Sequence, residues 1–540
     1  MGMYLDSKAA YTLYQRETIR PYFVDKSKMI IELLQLIKEG GGCICITRPR
    51  RFGKTVMANM ISAFFSRAVD GDALFYTLDI AQEQSYKKYQ NKYPVIHIPF
   101  NDVLGGCKSY EDYISSIEQQ LIADLRASYP DVVPDGEDSA AAALLNIYND
   151  EDMFQVIFVL DEWDFIFHQP FASQKDKMEY LLFLRNLLKD RPYVLLAYMT
   201  GILPIAKYSS GSELNMFSEF TMVTEERFAE YFGFTEEETD QLFIRYQQKN
   251  GLHGQVTREG LKNWYDGYHV KTGKRLYNPR SVVMALSNNN LGNYWTNSGP
   301  YDEIYYYMEQ NVDTVRESLA LMISGYPVPV KIREYAAVSQ NLETKEEIFS
   351  AMVVYGFLSY ENGTVSIPNR ELMEKFSDML QREPSLGYVY LLAKESQRML
   401  HATLAGRTEI MEEILQRAHN TETPLLSYNH EVELTAVVNL VYLAARDNYR
   451  VEREDRAGIG YVDFIFYPET DRDADCIILE LKVDHTPEEA IQQIREKQYA
   501  LRFRERLGEK RRYTGRVLGV GIGYDKAGKT HRCRVEVLEE

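Results

Sequence analysis

Along the first 220 residues the apolar positions come in short continuous runs rather than in alternation. Cys43–Ile46, Pro94–Phe100, Phe154–Leu160 and Tyr193–Met199 are such runs, and Phe220–Val223 is a fifth, weaker one. Runs of this kind are what strands buried on both faces of a parallel sheet look like. Between them lie segments with helical spacing. Lys26–Lys38 carries Ile30, Ile31, Leu33, Leu34 and Ile37, and Val56–Phe65 and Tyr110–Ala127 follow the same rule. The alternation predicts an α/β fold, a mostly parallel sheet with helices on both faces. Residues 130–140, rich in Pro, Asp and Gly, read as a surface loop.

The pattern then changes twice. From about 225 to 425 helical spacing dominates, interrupted by the turn-rich Trp264–Tyr268 and Leu276–Pro279, which suggests a helical lid and connector. From about 426 strands return. A helix over Glu431–Ala445 leads to an alternating strand, Tyr449–Glu454, and a turn at Gly458–Gly460. Tyr461–Phe466 and Cys476–Val483 read as strands, and Pro487 opens a helix to about Leu507. Val517–Tyr524 and His531–Val537 read as a hairpin. A chain of 540 residues is too long for one core, and three domains are expected: 1–224, 225–425 and 426–540.

The chemistry concentrates where the apolar runs stop. After Cys43–Ile46 and Thr47 comes Arg48-Pro49-Arg50-Arg51-Phe52-Gly53-Lys54-Thr55. Strand, tight loop, Gly-Lys-Thr and helix is the layout of a nucleotide phosphate cradle. Backbone N–H groups and the helix dipole at a helix N-terminus both favour an anion there. Lys54 would reach the β- and γ-phosphates, and Thr55 would place a hydroxyl on Mg²⁺. The general pattern asks for glycine where this chain has Arg48, and a basic turn before a core helix is the plainer alternative. Asp161, at the end of Phe154–Leu160, would hold Mg²⁺ through water, and Glu162 would take the proton of an attacking water. Thr200, after Tyr193–Met199, would sense the terminal phosphate. Acids just past a buried strand are also ordinary loop starts. A more literal copy of the loop pattern, Gly523–Thr530, is followed by a strand, so no helix N-terminus is there to hold phosphates.

In the last segment Asp463 interrupts one apolar strand, and Glu480 and Lys482 interrupt the next. Residues two apart in a strand share a face. Charges buried among Phe, Ile and Leu are costly unless they pair or bind a metal. Asp463 and Glu480 would coordinate Mg²⁺, and Lys482 would orient or deprotonate a water or steady the reacting phosphate, as in metal-assisted phosphodiester hydrolysis. Glu431 on the preceding helix is a candidate further acid, with Glu433 the alternative. Gln493 on the following helix would order a water or the backbone. A structural ion pair of Lys482 with either acid is the plainer reading. Arg495–Arg516 carries nine basic residues against three acidic, a local surface suited to phosphate contacts.

Composition narrows the classes. A net charge of −18 excludes a surface that is basic all over, so any nucleic-acid contact must be a local patch. Five scattered cysteines make neither a disulfide framework nor a zinc site, which suggests a reducing compartment. Met1–Arg20 is charged throughout, unlike a signal peptide, and no apolar run is long enough to cross a bilayer. A cytoplasmic protein without membrane contact is expected.

Tyr22-Phe23-Val24-Asp25-Lys26, Arg48–Thr55, Asp161-Glu162-x-Asp164 and Thr200-Gly201 together resemble the AAA-ATPase-like proteins of prokaryotes, whose loop carries Arg-Pro-Arg-Arg-Phe-Gly-Lys-Thr. Tyr265–Tyr268 and Tyr277–Pro279 look like that family's downstream markers. Asp463, Glu480-x-Lys482 and Gln493-Ile494 are similar to the PD-(D/E)XK nuclease-superfamily domain often fused at its C-terminus. Leu434-Thr435 stands where Tyr-His is usual. The resemblance implies a P-loop NTPase domain binding ATP and Mg²⁺ through Arg48–Thr55, Asp161 and Thr200, and a restriction-endonuclease-like domain acting on nucleic acid, DNA first. A homo-oligomer is left open, and neither Arg227 nor Arg280 is assigned as an arginine finger. Two functions are compatible with these parts: an ATP-dependent nuclease, or a nucleotide-switched assembly module that binds DNA or a partner without cutting.

Overall fold

Each of the apolar runs contributes a strand to one sheet: β1 (Cys43–Thr47), β2 (Val95–Pro99), β3 (Val156–Asp161), β4 (Val194–Gly201) and β5 (Ser218–Phe220). Their order is β2-β3-β4-β1-β5, with every neighbouring pair parallel. All six residues of β3 are buried; since successive side chains point to opposite faces, both faces of the sheet are covered there. β5 ends where the run Phe220–Val223 begins, because Ile44–Ile46 pairs with Ser218–Phe220. The computed structural model describes residues 2–40, 42–83, 86–102, 107–205, 213–223, 225–295, 312–332, 342, 344–421, 431–457, 460–469, 471, 473–503 and 513–539.

Contacts divide the chain into two units. One comprises residues 1–300, 330–342 and 346–371, the other 301–329, 343–345 and 372–540. The helices of 225–425 are therefore shared between the two, because their apolar faces pack into different cores. In the N-terminal unit α1 (Lys8–Thr18) lies on α2 (Lys54–Phe65), which lies on β3. Tyr4–Asp6 pairs with β2 through His97 N to Tyr4 O (3.0 Å) and Asp6 N to Val95 O (2.8 Å), which covers that edge of the sheet. After β5 a 3-10 turn over Ala229–Tyr231 precedes the next helix. The helix begins at α3 (Glu236–Asn250), where Thr235 and Glu238 form a capping box. Glu238 also pairs with Lys26 at 2.6 Å, which ties the Tyr22–Lys26 stretch to this helix. Tyr22, Tyr265, Tyr277 and Val282 share one core with Phe234 and Leu242.

The C-terminal unit is built on a second sheet: β6 (Tyr449–Ala457), β7 (Gly460–Pro468), β8 (Cys476–Val483), β9 (Val517–Asp525) and β10 (Thr530–Glu539), in that order. Only β8 and β9 are parallel, and the crossover between them carries α4 (Pro487–Glu496). The helix stops at Glu496 rather than near Leu507, because a 3-10 turn over Tyr499–Phe503 tucks both aromatics into the core with Ile465, Ile478 and Ile494. The Gly523–Thr530 string is the turn of the β9–β10 hairpin. Gly458 and Ile459 of the expected turn lie outside the described residues.

Gly521 pairs with Glu480 and Gly523 with Lys482. These glycines let α4 approach the sheet: a Cβ on Gly521 would lie 2.3 Å from the Pro487 carbonyl oxygen. Gly521→Ala should therefore cost about 1–3 kcal/mol through overpacking, read as a lower urea midpoint for unfolding of this unit.

Candidate functional site

Parallel strands end on the same side, so the loops leaving β1, β4 and β3 stand next to one another. Thr200 pairs with Ile46 in β1 and with Asp161 in β3. The strand that intervenes between the phosphate loop and the acids in space is thus β4, whereas in sequence it is β2. Gly53 takes φ +92°, in the left-handed region that favours glycine. A Cβ there would meet nothing within 4 Å, so backbone conformation rather than space calls for glycine. Lys54, heading α2, turns its amine back over the loop and donates to the carbonyls of Arg48 and Pro49, both at 3.0 Å. Burial lowers its pKa, against the pull of Asp164, Glu162 and Asp161.

Thr55, next along α2, lies beside the Asp161 carboxylate. Burial pushes Asp161 up to about 6, with Thr55 and Lys54 working against that rise and Glu162 adding to it. Glu162 follows with φ +50°, a left-handed turn directly after the strand. Thr200 is fully buried, and its hydroxyl donates to the Ile46 carbonyl at 2.9 Å. Arg48 is buried as well. Its guanidinium donates to the carbonyls of Thr47 (2.7 Å), Phe220 (2.8 Å) and Phe228 (3.1 Å). Phe52 is buried edge-on against Tyr268, 4.9 Å between ring centres. Partial burial, with Arg280 and Arg50 close by, lowers the pKa of Arg51, and Glu162 opposes this. Arg227 is ion-paired with Glu32 at 3.2 Å.

Asp164 is a structural element of this site that the motif alone does not explain. Its carboxylate accepts from the N–H groups of Ile202 (2.9 Å) and Leu203 (2.8 Å), closing the turn after β4. Gly201 leaves room for it: a Cβ there would lie 2.4 Å from Asp164 Oδ1. Its spacing from the strand-end pair, Asp161-Glu162-x-Asp164, is the only sequence signal for it.

In the C-terminal unit the antiparallel register of β7 and β8 runs Phe466↔Ile477, Ile465↔Ile478, Phe464↔Leu479. One step further sets Asp463 beside Glu480, and the Asp463 carboxylate accepts from the Leu481 N–H at 2.7 Å. Ile465, Ile478, Glu480 and Lys482 then share the face on which α4 packs. That face is apolar along its length and polar at one end. Lys482 Nζ lies 3.1 Å from Glu480 Oε1, and Gln493 on α4 donates to the same oxygen. Glu480 Oε2 is buried with no hydrogen-bond partner among the described residues. Burial and the nearby Asp463 push Glu480 up to about 7, with Lys482 opposing. Tyr499 also sits here, near Gln493 and both acids, with its hydroxyl donating to the Tyr461 carbonyl; the apolar pattern does not single it out. Glu431 begins the helix Glu431–Val441, and its side chain lies outside the described residues, as do residues 504–512 of the basic run. Among the described residues no three His, Cys, Asp or Glu side chains cluster.

Residues 15–210 match the family model described as a predicted AAA-ATPase, and residues 433–517 match the PD-(D/E)XK nuclease superfamily. The chain carries an AAA-ATPase-like domain followed by a PD-(D/E)XK nuclease-superfamily domain. The first span contains Arg48–Thr55, Asp161, Glu162 and Thr200. The second contains Asp463, Glu480, Lys482 and Gln493, and starts two residues after Glu431. Among solved structures, the Walker-type ATPase paby2304 of Pyrococcus abyssi is 13% identical, covering 65% of this chain and 94% of its own, with a TM-score of 0.36. The Aeropyrum pernix ORC2 protein, in ADPNP–ADP complexes, is 12% identical, covering 66% and 93%, with a TM-score of 0.32. No curated protein matches the chain. No helix among the described residues is long and apolar enough to cross a membrane.

Burial raises the pKa of Asp164, but the His168 side chain, the Leu203 N–H and Lys54 outweigh it and hold the carboxyl below its ordinary range. A depressed folded pKa contributes stability above the unfolded carboxylate range, lost as pH falls through the folded value. Asp164→Asn should therefore cost about 1.5–3 kcal/mol at neutral pH and flatten the acid limb of a stability–pH curve measured by urea unfolding.

Proposed function

We propose that the N-terminal unit binds and hydrolyses ATP and that the C-terminal unit cleaves nucleic-acid phosphodiesters with a divalent metal. One observation carries the reading: each unit holds, on an interior strand of its sheet, a buried carboxylate, Asp161 or Glu480, with a lysine nearby, Lys54 or Lys482. Such groups are costly to bury without a role. The residues fit Mg²⁺ in both places. Asp161 and Thr55 face each other from the end of β3 and the start of α2, and Glu480 offers a buried oxygen without a hydrogen-bond partner among the described residues, next to Asp463. When bound, the metal would neutralise charge on phosphate oxygens and activate a water.

The rest falls to the chain's own side chains. Lys54 presents its charge to the β- and γ-phosphates, with Arg50, Arg51 and Arg280 adding positive potential around them. Glu162 accepts the proton of the attacking water. Thr200, whose hydroxyl is committed to Ile46, holds β4 against β1 rather than touching phosphate. In the C-terminal unit Asp463 and Glu480 hold the metal, Lys482 stabilises the developing phosphate charge, and Gln493 and Lys482 orient Glu480. DNA is the substrate favoured here, with cytoplasmic location and Mg²⁺ as the working metal part of the same proposal.

Glu480→Ala is expected to abolish Mg²⁺-dependent cleavage across a panel of DNA and RNA substrates while phosphate release from ATP continues. Cleavage that survives the substitution sinks the nuclease assignment. Wild-type protein that turns over ATP but cuts nothing supports the nucleotide-switched binding module instead. Glu162→Gln should retain nucleotide binding and lose phosphate release by about 10²-fold or more, as removal of a general base does; Lys54→Ala should lose both.

A further inference from the structure

We propose that Arg48 is a positioning residue that couples the phosphate loop to the turn following β5, Phe228–Gly233; this rests on the nucleotide-binding reading above. The backbone and side chain of Arg48 serve two different partners. Its carbonyl is one of the two held by the Lys54 amine. Its guanidinium reaches the Phe220 and Phe228 carbonyls at 2.8 and 3.1 Å and lies over the Phe232 ring at 5.1 Å.

β5 is only three residues long, and its pairing with β1 ends at Ile46↔Phe220. The bond from Arg48 to the Phe220 carbonyl extends that attachment past the strand. Phe228, the next acceptor, takes φ +64°, a conformation an aromatic residue holds only when its surroundings enforce it. The other end of the loop grips the same turn: Gly233 N–H donates to the Phe52 carbonyl at 3.3 Å. The turn is thus clamped to the loop at both ends, by Arg48 and by Phe52. Directed donors on a planar guanidinium can serve several carbonyls at once, which a lysine ammonium on its flexible stem does less well.

The clamp responds to nucleotide through Lys54. With phosphate oxygens in reach, the amine has acceptors other than the Arg48 and Pro49 carbonyls, so the Arg48 peptide is freed to adjust. That adjustment passes through the guanidinium to Phe220 and Phe228.

Hydrogen exchange on the full chain, with and without a non-hydrolysable ATP analogue and Mg²⁺, tests this. In the wild type, exchange should change about tenfold at Phe228–Gly233 as well as at the loop, a coupling of ordinary size. In Arg48→Lys the loop should still respond and the turn should not. A wild type whose loop responds while the turn stays unchanged overturns the coupling, as does an Arg48→Lys turn that responds like the wild type. If Arg48→Lys fails to fold, the two wild-type segments decide alone. A wild-type loop that does not respond overturns the nucleotide-binding reading first, and with it the coupling that rests on it.

Discussion

Thr200 pairs with Ile46 on one side and Asp161 on the other, and this double parallel register holds the candidate nucleotide site together. Residues from three distant stretches of chain meet because their strands run in the same direction and end at the same level. A one-residue slip would move every side chain to the opposite face and carry Asp161 away from Thr55. Two devices guard the register. The Thr200 hydroxyl donates to the β1 backbone, and Asp164 fastens the turn after β4 in the space that Gly201 leaves open.

The C-terminal unit reaches a comparable site by antiparallel means. The β7–β8 ladder gives way at Asp463, whose carboxylate takes a backbone N–H of the neighbouring strand. The face beneath is apolar, and its polar end gathers the candidate residues Glu480, Lys482 and Gln493. Well-packed apolar residues of similar volume would often be as stable or more so at these positions. The raised pKa values of Asp161 and Glu480 are the physical sign of that cost.

Strands β1 to β4 were legible because doubly buried strands leave uninterrupted apolar runs. β5 was poorly legible, since three half-exposed residues leave no run. α1 left little trace, with only Ala10 and Tyr14 buried. The end of α4 was misplaced because helical spacing continues into residues that the core recruits as a 3-10 turn. Asp161 stood out as a charge at the end of an apolar run, Glu480 and Lys482 as charges inside one, and Lys54 by its place in the loop between strand and helix, contrasts that need no third dimension. Asp164 and Tyr499 had no such contrast.

By itself the sequence pointed to β1–β4 and to the strands of the second sheet, to the candidate phosphate and metal residues, and to Gly523–Thr530 as part of a hairpin rather than a second cradle, because a helix must follow a phosphate loop and none does. Only the tertiary structure decided that β4 separates β1 from β3, that the helices of 225–425 belong to two cores, and that Arg48 and Thr200 spend their polar groups on backbone carbonyls. The reason is one of range. Local patterns report burial and turn chemistry within a few residues, whereas the partner of a buried guanidinium or hydroxyl is set by whichever distant strand packing brings beside it, 172 residues away for Arg48 and Phe220 and 154 for Thr200 and Ile46.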